Sequence, residues 1–444
     1  MIKDLTEGKP QKVLWQFSIP MFVSVIFQQL YNIADSVIAG KFAGEEALAA
    51  VGASYPITMI FMAIAVGSNI GCSVIISQLF GAKEYARMKT AISTTLLASA
   101  VLSVLLTLLG VAGSAWLMRL IHTPDNIFAD GDLYLRIYIA GFLFLFLYNI
   151  ATGIFNSLGD SRTPLYFLIG SSLGNIVLDL LFVAVFNWGV AGVAWATFLA
   201  QGIACILALL TLRIRVRSVQ GEGKAALFSA EMLKKISMIA IPSILQQSFI
   251  SVGNIFIQSL VNSCGSSVIA GYSAAIKLNT FLITSVTTLA NGISSFTAQN
   301  IGAGKKERIK EGFAAGMKLA FLVVVPFFVI YFFFGNVMIE LFMNSESTMA
   351  LETGRVFLRI VSPFYFVISV KLMADGVLRG AGAMKQFMIC TFTDLVLRVI
   401  LAYILVIPFG STGIWLSWPL GWSVGAVLSF GFYKSGVWAG KLRK

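Results

Sequence analysis

Residues 77–89 read SQLFGAKEYARMK, and residues 298–310 read AQNIGAGKKERIK. Each stretch closes a long apolar run with a glycine and a cluster of charge. The same correspondence recurs along the chain: LRI at 135–137 and 358–360, SLGD at 157–160 opposite RGAGA at 379–383, and GVAG at 189–192 opposite GSTG at 410–413. The offset stays between 221 and 223 residues throughout. One such match is easily met by accident; four in order mark an internal duplication.

The duplicated material is apolar. Of 444 residues, 58% are hydrophobic and 12% charged, about half the ~25% charged fraction of soluble domains. Mean hydropathy is +0.87. Apolar runs near or above ~20 residues recur from end to end, each long enough to cross ~30 Å of hydrocarbon. The alternation of outer-membrane barrel strands is absent. The pattern predicts twelve helices, at 14–39, 47–79, 90–118, 132–157, 163–187, 190–212, 233–262, 266–300, 312–341, 355–379, 384–408 and 411–433. Six spans per half is an even number, so both halves run in one orientation, related by an axis along the membrane normal, an arrangement found in transporters. The expected fold is therefore all-α: a polytopic membrane protein with twelve transmembrane helices in two six-helix lobes related by a parallel pseudo-two-fold repeat. The expected division is an N-terminal lobe at 1–212, a cytoplasmic linker at 213–235 and a C-terminal lobe at 236–444.

A net charge of +12 would suggest a nucleic-acid partner in a soluble chain. Here the basic residues collect in alternate loops: Lys83, Arg87 and Lys89; Arg162; Arg213, Arg215, Arg217, Lys224, Lys234 and Lys235; Lys305, Lys306, Arg308 and Lys310; Arg379 and Lys385. Both tails are basic as well, through Lys3, Lys9 and Lys12 and through Lys441, Arg443 and Lys444. This is a topology signal with no nucleic acid implied, and it puts both termini and the central linker in the cytoplasm. The linker's cations are suited to anionic lipid headgroups. The polar N-terminus lacks the pattern of a cleaved signal, so the first span itself would direct insertion. Cys72, Cys205, Cys264 and Cys390 are scattered and read as small core residues, with no metal site or disulfide framework. The single histidine, His122, sits in the loop sequence IHTPDN. No HExxH, paired-acid motif or nucleophile elbow accompanies it, so the chain does not read as an enzyme and needs no cofactor. A passive channel would have no need of the repeat.

Against this apolar ground a few polar residues stand out. In FQQLYNIADSVIAG, 27–40, Gln28, Tyr31, Asn32 and Asp35 follow i, i+3, i+4, i+7 spacing and share one helix face. A carboxylate at mid-membrane costs at least ~2.5–3.5 kcal/mol, so Asp35 must face protein or a watery chamber, taking up a proton or pairing with a cation. The fifth predicted span carries Asn175 and Asp179 at i, i+4, and the sixth carries Thr197 and Gln201 at the same spacing. Three helices of one half thus present polar faces, which suggests a shared chamber; the alternative is that these groups pin helix contacts by hydrogen bonds. The second half differs. Lys371, Asp375 and Arg379 form a ladder of alternating sign, and Asp394 and Arg398 stand at i, i+4, so these acids are expected to be neutralised along their own helices. Lys277 stands alone in an uncharged stretch. Pro20 and Pro242 are expected to open the first and seventh helices.

With these features in view, the chain resembles the MATE (multidrug and toxic compound extrusion) exporters along nearly its whole length. The resemblance rests on the twelve spans in two lobes and on QQLYNIADSVIAG, GAKEYAR, SLGDSRTP, GNIVLD and GAGKKER. Within that family it is similar to the DinF-like branch, where the N-terminal lobe carries an acid in helix 1 and an Asn–Asp pair in helix 5. The NorM-like branch uses acids in helices 7 and 10, and helix 7 here has none. The resemblance implies an antiporter that couples H⁺ or Na⁺ to export of organic cations and amphipathic drugs by alternating access of its lobes. Asp35, Asn175, Asp179 and Thr197 would couple the cation and, for Na⁺, ligate it; Gln28, Tyr31, Asn32, Asp35, Asp179 and Gln201 would meet the cargo. It also implies a monomer in a prokaryotic cytoplasmic membrane, with small-molecule cations and membrane lipid as partners. A flippase for lipid-linked oligosaccharides in the same superfamily is the alternative; its pyrophosphate cargo calls for a cationic cavity, whereas this N-terminal half is acidic.

Overall fold

In the computed structural model, residues 2–38, 42, 45–221, 223–340 and 348–439 are described, with the side chains of 35–37 and 45–48 excepted. The side chain of Asp35 and the basic residues Lys441, Arg443 and Lys444 therefore lie outside the described residues. The described chain is helical with no strand: α1 Pro10–Ile38, α2 Glu45–Gly81, α3 Tyr85–Leu120, α4 Asp125–Ala140, α5 Phe142–Ser157, α6 Arg162–Asp179, α7 Gly189–Ser218, α8 Ala230–Asn262, α9 Ser266–Gly302, α10 Lys306–Phe333, α11 Gly335–Glu340, α12 Thr348–Val361, α13 Tyr365–Gly380, α14 Met384–Phe409 and α15 Ser411–Lys434. Each of the twelve predicted spans falls on one of these helices or on a broken pair. α4 and α5 form one span bent by 46° at Gly141. α12 and α13 are joined by a 3-10 turn at Ser362–Phe364 that contains Pro363. Nine described helices are long and apolar enough to cross a membrane, ten with the bent pair. α9 and α15 are long enough, at 37 and 24 residues, and carry one charge each, but are rich in Gly, Ser, Thr and Trp.

The repeat is visible in the turns. After α2, Lys83 has φ 60° and Glu84 N–H bonds back to Leu79 C=O; after α9, Gly304 has φ 71° and Lys305 N–H bonds to Asn300 C=O. After α5, Gly159 has φ 73° with Asp160 N–H on Phe155 C=O; after α13, Gly382 has φ 74° with Ala383 N–H on Leu378 C=O. All four are left-handed helix stops that satisfy orphan carbonyls. Three use glycine, for which the conformation costs least, and Lys83 adopts it with a side chain.

The chain divides into two compact units: Met1–Asp4 with Pro20–Ser248, and Leu5–Ile19 with Phe249–Lys444. This departs from the sequence boundaries in one instructive way. The first turns of α1 belong with the second unit, and the first half of α8 with the first. Close packing is the cause. In the first unit, a Cβ on Gly67 would stand 2.5 Å from the backbone nitrogen of Ile244, and one on Gly71 2.7 Å from that of Ala240, so α2 and α8 meet backbone to backbone. Small residues four apart permit this approach, and dispersion over it favours association where lipid offers no hydrophobic drive. In the second unit, Trp15 Nε1 donates to Ala315 C=O at 3.0 Å, and Leu5 N–H to Gln299 Oε1 at 2.9 Å. Arg308 adds bonds to the carbonyls of Leu5, Glu7 and Gly8.

The same packing corrects the expectation for the prolines. α1 and α8 begin ten or more residues upstream, so Pro20 and Pro242 lie inside them. The ordered linker is also shorter than expected, since α7 runs to Ser218 and α8 starts at Ala230. Ala226 N–H bonds to Thr90 Oγ1 and Ser229 N–H to Thr94 Oγ1, both at 3.0 Å, and Ser93 Oγ donates to Ala226 C=O at 3.1 Å. One hydroxyl-bearing face of α3 thus straps the connector down.

The first unit's core is aromatic and aliphatic, built on Phe142, Phe146, Ile150 and Phe155 of α5 against Ile57, Phe61 and Ile76 of α2. The second unit's core stacks Tyr272 on Trp415 at 5.0 Å, with Phe357 edge-on to both.

Candidate functional site

α6 ends at Asp179 because the helix there changes pitch. Leu180–Val185 continues as a π-helix, a wider turn frequent at functional sites. Asn175 and Asp179 lie one α-turn apart just before it, and both are buried, at 2% and 1% exposure. In the amide orientation that gives every atom a complementary partner, Asn175 Nδ2 donates to Asp179 Oδ2 at 2.7 Å and to the Tyr31 hydroxyl at 3.0 Å. Its Oδ1 accepts from the Thr197 backbone N–H at 3.1 Å. One amide therefore ties α1, α6 and α7 together, and all its donors and its acceptor are used.

The structure thus brings together Tyr31, Asn175, Asp179 and Thr197. Gln28 and Asn32 form a separate, exposed ladder: Gln28 Nε2 donates to Asn32 Oδ1, and Asn32 Nδ2 to Gln29 Oε1, both at 3.4 Å. Gln201 sits one turn beyond Thr197, and both line a narrow pocket with Tyr134, Tyr138 and Phe198. That pocket lies at the Gly141 bend, where a Cβ would stand 3.1 Å from Phe198 Cδ2. Sequence reasoning missed Tyr134 and Tyr138, although their i, i+4 spacing in an apolar span was a signal available to it. The π-helix had none. Among the described residues no three or more His, Cys, Asp or Glu side chains group as a metal site. The four cysteines are free thiols. His122, at φ 56°, is an exposed turn residue after α3.

The second unit holds a different assembly. Lys371 Nζ lies 2.9 Å from Asp375 Oδ2 and 3.5 Å from Asp394 Oδ2, bridging α13 and α14. Ser429 Oγ donates to Asp375 Oδ1 at 2.6 Å. Gly421 and Gly425 of α15 leave the room: a Cβ on Gly425 would stand 2.7 Å from Lys371 Cε, and one on Gly421 2.9 Å from Asp394 Oδ1. Among the described residues the expected pairing along single helices is a close ion pair for Lys371 and Asp375, while Arg379 and Arg398 act on Asp375 and Asp394 at longer range. Arg379 bonds to Asn291 Oδ1 of α9, and Arg398 stacks its guanidinium 4.4 Å over the Trp418 ring. Each arginine found a planar acceptor or ring on a neighbouring helix that helical spacing could not reveal. Lys277 is exposed on α9.

Comparison with known proteins agrees with the duplication. The MatE family model matches twice, at residues 20–181 and 242–404. The chain belongs to the MatE family. As a MatE member it is a transporter and not an enzyme. Its similarity runs end to end: it is 30% identical to the probable multidrug resistance protein YpnP of Bacillus subtilis (strain 168), over 98% of this chain and 97% of that protein. It also superposes on solved MatE relatives. One is described as the outward-facing conformation of a multidrug resistance MATE family transporter of the MOP superfamily (TM-score 0.91, 26% identity, 99% of this chain and 98% of that one). Another, a MOP superfamily transporter from Pyrococcus furiosus Vc1, is described as having a binding pocket of reverse polarity that suggests a different function (TM-score 0.91, 25% identity, 99% and 98%).

Proposed function

We propose that this MatE protein is a cation-coupled antiporter that exports organic cations and amphipathic drugs, with its coupling site in the first unit and its place in the DinF-like branch. The observation that carries the reading is the buried amide of Asn175, held between Asp179, Tyr31 and the backbone of Thr197. A membrane-embedded acid with one oxygen engaged by an amide and its helix loosened into a π-turn is suited to a change of charge state. Asp35 follows Tyr31 at i+4 spacing in the sequence, and the two acids form one coupling pair in this reading. A proton neutralises them, or Na⁺ is held by their oxygens together with those of Asn175 and Thr197. Either outcome competes with a cationic cargo for the same charges, which is what exchange requires. Gln28, Asn32 and Gln201 then offer polar contacts to the cargo around that centre.

The names of the relatives support drug export, and two acids in one half favour cationic cargo over the pyrophosphate lipid of a flippase. The protein would work as a monomer in the prokaryotic cytoplasmic membrane with both termini inside. The test is ethidium efflux from proteoliposomes for wild type, Asp35→Asn and Asp179→Asn, with H⁺ and Na⁺ gradients imposed separately. Loss in both folded variants supports the site, and the effective gradient names the ion. Wild-type pumping by both variants overturns it.

A further inference from the structure

The connector between α7 and α8 borders an open depression of about 310 Å³ in the first unit, lined by Lys89 and Ser93 of α3, Val216 and Arg217 of α7, and Ala225–Leu227 of the connector. Among the described residues its walls carry two cations and no acid; Glu222 of the connector lies outside them. Among the described residues neither Lys89 nor Arg217 makes an ion pair, whereas the neighbouring Arg87 is engaged by Glu84 at 2.7 Å and Glu231 at 3.5 Å, and Lys235 by Glu231. The connector's position is not loose, because Thr90, Ser93 and Thr94 hold its backbone at Ala226 and Ser229. The connector's side of the depression is therefore held in place.

Two apolar faces lead away from it. On α3, Leu97, Val101, Leu105 and Leu108 are exposed at 40–63%, beginning one turn from Ser93. On α7, Ile203, Leu207, Leu210 and Ile214 are exposed at 49–69%, ending three residues before Arg217. Leu227 and Phe228 add exposed apolar surface, at 73% and 51%, on the connector itself. Cationic groups at one end of lipid-facing helices, with continuous apolar surface beyond, match an amphiphile with an anionic head and acyl chains. The loop charges place this end of the helices in the cytoplasm, where the anionic leaflet lies.

We propose that Lys89 and Arg217 bind the phosphate of an anionic phospholipid of the inner leaflet, its chains lying along the exposed faces of α3 and α7. The bound lipid would staple the connector to the membrane surface. This site is independent of the cargo and of the coupling acids.

The test is lipid retention by the full-length protein in detergent, read by native mass spectrometry during titration with dioleoylphosphatidylglycerol. Wild type is expected to keep one lipid tightly. Lys89→Gln/Arg217→Gln is expected to bind it roughly thirtyfold more weakly, from about two lost surface charges. The charge-keeping pair Lys89→Arg/Arg217→Lys should retain it, as should Lys224→Gln/Lys234→Gln, which removes two cations of the same stretch outside the hollow. Dioleoylphosphatidylcholine should not compete, and millimolar inorganic phosphate should not displace the lipid. Equal retention by the Lys89→Gln/Arg217→Gln protein overturns the site. So does an equal loss in the Lys224→Gln/Lys234→Gln control, which would mean diffuse charge, or displacement by inorganic phosphate, which would mean a site for a soluble anion.

Discussion

Lys371 on α13 reaches Asp394 on α14, Nζ to Oδ2 at 3.5 Å, while holding Asp375 on its own helix at 2.9 Å. One ammonium thus serves two carboxylates that are 4% and 6% exposed. Removing the shared cation leaves two buried acids without the counter-charge in contact with them, with Arg379 and Arg398 remaining within electrostatic reach, which is worse than removing either acid. Lys371→Met is expected to cost about 3–5 kcal/mol of stability, and Asp394→Asn distinctly less. Thermal unfolding of purified protein checks the order; equal effects would mean that the bridge is not shared.

Asn175 tests the other unit. Asn175→Leu keeps much of the volume but removes the bonds to Asp179, Tyr31 and Thr197. At ~1–3 kcal/mol for buried hydrogen bonds left unmade, transport should fall about ten- to hundredfold if the proposed coupling centre needs that geometry. Efflux rate per folded molecule is the measurement. Asn175→Leu with an unchanged rate would make the amide a helix pin only.

Asp160 provides a pH signature outside the membrane spans. It is 2% exposed and accepts bonds from Thr163 N–H at 3.1 Å and Thr163 Oγ1 at 2.8 Å. Burial alone raises its pKa, and the hydrogen bonds it accepts, these two among them, carry it below the usual value of 3.8. A depressed folded value means that the carboxylate stabilises the fold fully above the usual value, and that this contribution is lost as pH falls through the folded one. Wild type should therefore out-melt Asp160→Asn at neutral pH, with the gap closing below about pH 4. A gap that is constant across that range would contradict the assignment.

Gly71 tests the seam between α2 and α8. Gly71→Val puts side-chain atoms where the Ala240 backbone lies, and overpacking of this kind costs about 1–3 kcal/mol or more. Gly113, whose Cβ would meet nothing within 4 Å, is the matched control. A Gly113→Val protein that is equally impaired would remove the argument from contact.

What the sequence could announce was whatever recurs with the period of a helix or of the duplication. Asn175, Asp179 and Thr197 were found because spacing of four puts polar atoms on one face, and the repeat was found because the same stop signals follow α2 and α9. Lys371 and Asp394 were not matched, because spacing along one helix says nothing of the neighbour across it, and each residue had a closer candidate in sequence. The π-turn after Asp179 left no trace, since LLFVAV is as apolar as any α-helical stretch around it. The assignment of 5–19 and 230–248 to opposite units was hidden for a related reason. Glycines such as Gly67 and Gly71 permit close approach but do not name their partner.

That last feature bears on whether either half could stand alone. Residues 1–229, made alone, would lack the stretch 230–248 that fills the first unit, and would carry residues 5–19 with no receiving surface. Two copies of one half could satisfy both needs by trading their opening segments, as in a domain-swapped dimer. A half-length chain is on this ground expected to fold only when a second copy supplies the exchanged segment.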